Sequence, residues 1–276
     1  MSSLSLHLKS PARRVSLFFV LSFAFSWFGI AGNAFVESAA WPRPIFPLGP
    51  ILAAPLVILL TEGRLGLKRW WRRITRLRAP LNIYAAATLI PATIILISVP
   101  LAIATGAHAP SIHDWAAFPA VLLILPILPL FGPLPEEPAF RGYAQVALGE
   151  RVTPLMASLW IGLGVLIWHL PVLISGEIPW TIAIALPAVS VVYAWLYENG
   201  GSVWPLIALH TVQNVLGGAY VSQMFNRHDD LIWAAFLAGF YVAWAAIIAM
   251  RCGATLRSPG RGSLAASSPS GGCARR

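Results

Sequence analysis

Eight stretches of this chain run for about 20 residues or longer without Asp, Glu, Lys or Arg. They cover 15–36, 44–61, 79–113, 115–135, 152–176, 178–197, 199–226 and 231–250. A helix crosses a bilayer core with about 20 predominantly apolar residues. The core offers no water to unpaired backbone groups, so a spanning segment must be a helix or part of a closed barrel. Apolar runs this long do not alternate as barrel strands do. The sequence therefore predicts an all-α fold, a polytopic transmembrane helical bundle of about eight spans. Charge content agrees. Only 11% of the 276 residues are charged and 58% are hydrophobic, against about 25% charged in a typical soluble domain. So few charges cannot cover a soluble surface.

The basic residues orient the bundle. A cytoplasmic N-terminus places Lys9, Arg13 and Arg14 inside. The seven bases from Arg64 to Arg78, then Arg141 and Arg151, and the five from Arg251 onward fall inside too. Of the 19 basic residues only Arg43 and Arg227 are left outside. Basic residues are retained on the cytoplasmic side. Both termini are therefore expected inside, in a bacterial cell (inner) membrane. This bias accounts for the net charge of +9, so the partner it implies is the lipid bilayer and no nucleic acid. The expected organisation is a cytoplasmic tail over 1–14, a transmembrane domain over 15–250 and a basic tail over 251–276. The last is rich in Gly, Ser, Pro, Ala and Arg and is expected to be disordered. The first apolar run is too long for a signal-peptide core and is read as retained. Cys252 and Cys273 lie at the inner end, where a reducing compartment disfavours a disulfide. The closing CARR lacks the aliphatic positions of a prenylation box. Residues 63–78, GRLGLKRWWRRITRLR, either lie along the inner leaflet or form a solvated connector that fixes topology.

Ionisable groups inside apolar runs are costly and mark candidate sites. Glu136 and Glu137 follow directly on the 115–135 run, among Pro133, Pro135 and Pro138. Prolines there fit a helix that starts or kinks. Glu137 and Arg141 are four apart, with the acid N-terminal, the better order for an ion pair. Glu136 points about 100° away, so one acid has a partner and the other is free. The structural alternative is that both merely cap a helix N-terminus. His169 lies late in the 152–176 run, where a lone histidine is usually a hydrogen-bonded packing residue. His210 and Asn214 share one helix face, with Gln213 on a neighbouring face. They could serve only to join helices.

Counted from a turn near 149–151, Glu136 and His169 lie about 21 and 28 Å along antiparallel helices. Comparable depth lets Glu136, His169, His210 and Asn214 converge on one cavity. No serine or cysteine nucleophile is tied to this set by spacing. A carboxylate in a low-dielectric cavity is suited to take a proton from water. Glu136 with His169 could do so, while His210 and Asn214 donate to an oxyanion. The competing arrangement is zinc held by Glu136, His169 and His210, with water as the fourth ligand. The HExxH zinc signature is absent.

At these residues the chain resembles the CAAX protease and bacteriocin-processing (CPBP, or Abi) family, which includes Ras-converting CAAX endopeptidases. The family pattern is EExxxR, FxxxH, and HxxxN or HxxxD. Here EEPAFR from Glu136 to Arg141 and HTVQN from His210 to Asn214 meet it, while the middle motif keeps His169 but departs from the pattern with Val165 at the Phe position. The resemblance covers about 115–222. It implies a helical membrane fold with a glutamate-dependent, often metalloprotease-labelled, active site acting on a peptide or membrane-protein substrate. Carried across, Glu136 is the base, His169 its partner, His210 and Asn214 the oxyanion donors, and Glu137 with Arg141 the orienting pair. Prenylated substrates do not follow from this chain. Two other classes stay open at this point. One is a non-catalytic membrane immunity or scaffold protein of the same fold. The other is a proton-coupled transporter, which would call for an internal repeat.

Overall fold

A computed structural model describes residues 10–35 and 47–258, with side chains at all of these except 29–35. The expectations for most of the N-terminal tail, Arg43, Cys273 and residues 259–276 lie outside the described residues. The α-helices of five or more residues, in chain order, are α1 (Pro11–Phe35), α2 (Gly49–Ile74), α3 (Leu81–Ala104), α4 (Ile112–Ala116), α5 (Phe118–Ile124), α6 (Pro133–Ala139), α7 (Pro154–Trp168), α8 (Leu170–Ile174), α9 (Thr181–Gly200), α10 (Trp204–Val212) and α11 (Arg227–Cys252). No strand occurs among the described residues, as the apolar runs require.

Four described segments are long and apolar enough to cross a membrane: Gly49–Ile74, Leu81–Ala104, Thr181–Gly200 and Arg227–Thr255. Among the described residues the expected count of about eight is not confirmed. The 115–135 run carries prolines at 119, 126, 129, 133 and 135. Each removes a backbone donor and clashes with the preceding turn. The run therefore breaks into α4, α5 and a 3-10 turn over Leu128–Phe131. The 152–176 run is cut at His169, where α7 ends and Pro171 opens α8.

Two apolar clusters make the interior. One gathers α3, α9, the Leu206–Leu209 face of α10, and α11, around Ile95, Leu196 and Tyr241. The other gathers α1, α2, α6 and α7 around Phe18, Ile58, Phe140 and Ile161, and takes Val203 and Ile207 from the α10 end. Helix α10 thus lies between the two. At Gly162 on α7 a Cβ would lie 2.6 Å from Pro187 Cα on α9. The missing side chain lets these backbones approach closely.

Segment 63–78 is more than either sequence reading allowed. Gly63 takes φ 66°, ψ −163°, a conformation glycine adopts without penalty, and α2 kinks there. The remainder stays helical to Ile74 and turns Gly66, Trp70 and Ile74 inward. His108 is exposed, yet its Nδ1 lies 2.9 Å from Asp229 Oδ2, and its backbone N–H donates to the same oxygen.

Candidate active site

Helix α6 begins at Pro133, immediately after Gly132, where a missing N–H costs nothing. Its first turns carry Glu136 and Glu137, which are 6% and 1% exposed. Beyond Ala139 the helix widens into π turns over Phe140–Gln145. Helix α10 does the same over Gln213–Val221, the stretch that holds Asn214. Such π segments are rare and recur at functional sites.

Glu137 is the hub. Its Oε2 lies 3.3 Å from Arg141 Nη1, the i,i+4 pair that the spacing predicts. Its Oε1 lies 2.9 Å from His210 Nδ1. Arg141, 4% exposed, donates from Nη2 to Ser190 Oγ at 3.2 Å, and Ser190 Oγ donates to the Ser158 carbonyl at 2.7 Å. The Arg141 guanidinium lies 4.3 Å from the Tyr193 ring centroid, a cation–π contact. Tyr193 meets the His210 ring edge-on at 6.0 Å. Its hydroxyl donates to Gln213 Oε1 at 2.7 Å, and Gln213 Nε2 donates to Tyr241 Oη at 2.8 Å. Three helices therefore fix one histidine: α6 through Glu137, α9 through Tyr193, and α10, which carries it. With Nδ1 facing Glu137, His210 has Nε2 left for other chemistry.

Glu136 is buried without a hydrogen bond among the described residues, within electrostatic reach of His210, Glu137 and Arg141. The space beside it is bounded by Gly132. A Cβ built on Gly132 would lie 3.0 Å from Asn214 Nδ2 and 3.6 Å from Glu136 Oε1. The carboxylate and the amide therefore flank a place about one atom wide, kept open by the absence of a side chain. His169 stands apart. Its Nδ1–H donates to the Val165 carbonyl at 2.8 Å, its ring meets Trp168 edge-on at 4.8 Å, and it senses His210 electrostatically. No hydrogen bond joins it to Glu136 among the described residues.

Of the six sequence-derived candidates, Glu136 and Asn214 flank the Gly132 gap, Glu137, Arg141 and His210 form one bonded cluster next to it in sequence, and His169 hydrogen-bonds with neither set. Among the described residues no group of three or more His, Cys, Asp or Glu side chains is placed to hold a metal. Glu136, His169 and His210 are thus not assembled as the zinc ligand set, and no step is assigned to a metal. The sequence reading missed Gly132, Ser190 and Tyr193. Only Gly132, adjoining the acid pair between two prolines-rich segments, offered any signal; a serine and a tyrosine in an apolar run look like ordinary packing.

The fold and this cluster point to a helical membrane protein in which buried Glu136, Glu137 and Arg141 adjoin half-buried His210 and Asn214. Residues 117–216 match the profile of a family described as type II CAAX prenyl endopeptidase Rce1-like. The match, under half of the chain, supports assignment to the CPBP/CAAX protease family that the motifs resemble. A comparison with curated proteins gave no match.

Proposed function

We propose that the protein is an intramembrane endopeptidase that hydrolyses a peptide bond with water activated by Glu136. The observation that carries this reading is the gap at Gly132, flanked by a buried carboxylate and a side-chain amide. A water there is within reach of Glu136, which takes its proton as the oxygen attacks the scissile carbonyl carbon. The carbonyl oxygen becomes an oxyanion, to which Asn214 Nδ2 donates. His210 donates from Nε2 when that nitrogen carries a proton, with Glu137 balancing the charge of the ring. Collapse of the tetrahedral intermediate breaks the C–N bond. The amine leaves with the proton held by Glu136, so the carboxylate is regenerated. His169 assists from the edge of the site, and Arg141 holds Glu137.

The same reading keeps the eight apolar runs as a bilayer-embedded unit with both termini on the cytoplasmic face of a bacterial inner membrane, and the core of the site within about 115–222. The substrate is a peptide or a membrane-protein segment. The prenyl group in the matched family's description is not carried to this chain. The deciding experiment is cleavage of a pooled peptide library, prenylated and unmodified, by the purified protein in detergent. Loss of cleavage in both Glu136→Gln and Asn214→Ala supports the assignment. A cellular phenotype that survives Glu136→Gln intact overturns it in favour of a scaffold.

A further inference from the structure

The half of α2 beyond Gly63 has two faces. Arg64, Lys68 and Arg72 recur every four residues and form one outward stripe, all exposed. Leu65 and Trp71 beside them are 69% and 59% exposed. Leu67, Lys68, Trp71 and Arg72 line a surface groove with Trp70 at its base. None of the three stripe cations makes an ion pair or hydrogen bond among the described residues. The adjoining acid, Glu62, is already held by Arg14 at 3.1 Å and Arg69 at 2.8 Å. The inward face grips α6. Trp70 Nε1 donates to the Pro138 carbonyl at 3.1 Å and Arg73 Nη1 to the Gly142 carbonyl at 2.8 Å. These carbonyls follow directly on Glu137 and Arg141. A Cβ at Gly142 would lie 2.8 Å from Ile74 Cγ2, so the two helices touch there.

We propose that this half of α2 docks anionic phospholipid headgroups, and that their binding steadies the helix carrying Glu136 and Glu137. Phosphate-bearing headgroups meet Arg64, Lys68 and Arg72, while Leu65 and Trp71 sink to the acyl boundary. The exposed indole and leucine select a lipid surface over a free anion. Docking is independent of the hydrolase reading; its consequence for catalysis rests on that reading.

The test uses the full chain in mixed micelles with brominated phosphatidylglycerol or brominated phosphatidylcholine. The quenching lost in Trp71→Phe isolates that indole among the 12 tryptophans. Each base near an anionic surface strengthens association about fivefold. The glycerol lipid should therefore quench at a mole fraction at least about tenfold lower than the choline lipid. Combined Arg64→Gln, Lys68→Gln and Arg72→Gln should abolish that preference, and Arg64→Lys with Arg72→Lys should keep it. Equal quenching by both lipids, an unchanged preference in the triple variant, or displacement by soluble glycerol phosphate overturns the proposal. Hydrogen exchange over 136–145 reads the coupling. Phosphatidylglycerol should slow it in the wild type and not in Trp70→Phe, which keeps the ring and loses the donor. Exchange that ignores lipid in the wild type overturns the coupling. Lipid-dependent exchange in a protein that cleaves nothing would sink the hydrolase reading alone.

Discussion

Replacing Gly132 with alanine adds one methyl to the gap between Asn214 and Glu136. The backbone at Gly132 has φ −170°, an extended value open to other residues, so the perturbation is steric. The new carbon would lie 3.0 Å from Asn214 Nδ2 and 3.6 Å from Glu136 Oε1. Non-bonded carbon contacts are comfortable at about 3.5–4.0 Å. The carboxylate contact is therefore ordinary, and the amide must give by a few tenths of an ångström. A misplacement of about 1 Å at a reacting centre costs about 100-fold, and an oxyanion donor lost outright costs about 100- to 1,000-fold. The smaller shift keeps the donor, so Gly132→Ala should lower kcat/KM about tenfold. Crowding of this kind destabilises by about 1–3 kcal/mol, and thermal unfolding in detergent gives that part separately. The cycle with Asn214→Ala is the sharper test. Where the amide is already gone, the methyl meets nothing tight and should cost less than about threefold, so the two effects fail to add. A Gly132→Ala enzyme as active as the wild type, or fully additive losses in the double variant, would refute the placement of the reacting atoms in this gap.

The two adjacent acids should separate by stability. Glu137→Gln strips Arg141 of its buried counter-charge and should destabilise by about 3 kcal/mol, whereas Glu136→Gln should abolish cleavage at nearly unchanged unfolding temperature. Tyr193→Phe deletes one hydrogen bond and keeps the ring over Arg141, so it should cost about 1 kcal/mol and leave measurable turnover; complete loss of activity would show that the hydroxyl acts directly. Chelator treatment should leave cleavage unchanged, because Glu136, His169 and His210 are not gathered as a ligand set; inhibition reversed by added zinc would contradict that geometry. Hydrogen bonds from the Ser111 side chain and backbone hold the Asp114 carboxyl below its ordinary value. The capped turn over Ile112–Ala116 should therefore be intact at neutral pH and fray as pH falls through that lowered value, read as faster hydrogen exchange in this segment.

Helix class and the acid–arginine pair could be read from the chain because both rest on local rules. Long uncharged runs specify helices in lipid, and residues four apart share a face, which is why Glu137 and Arg141 meet as expected. Span number was less legible. Proline effects accumulate within 115–135, and the apolar character that marks a span says nothing of where its helix breaks. The partnership of Glu137 with His210, 73 positions away, is a tertiary fact with no periodic trace. Depth counting put Glu136 and His169 level, yet it could not foresee that His169 ends its helix and turns Nδ1 back to Val165. Segment 63–78 looked like surface because its charges dominate the composition. The inward face of Gly66, Trp70 and Ile74 is only three residues wide.

Glu137 lies on α6, beside one apolar cluster, and His210 on α10, which lies between the two, and the chain delivers them in order. Early in synthesis Glu137 already has its counter-ion one turn along in Arg141, so the acid can enter lipid as an internally balanced unit. The histidine and the amide arrive only with α10 and the turns that follow it. A nascent chain that stops short of His210 carries the acids without the groups that would hold an oxyanion. On the mechanism proposed here, the emerging protein stays chemically silent towards its neighbours until its own final halves have closed together, a safeguard that requires no removable inhibitory segment.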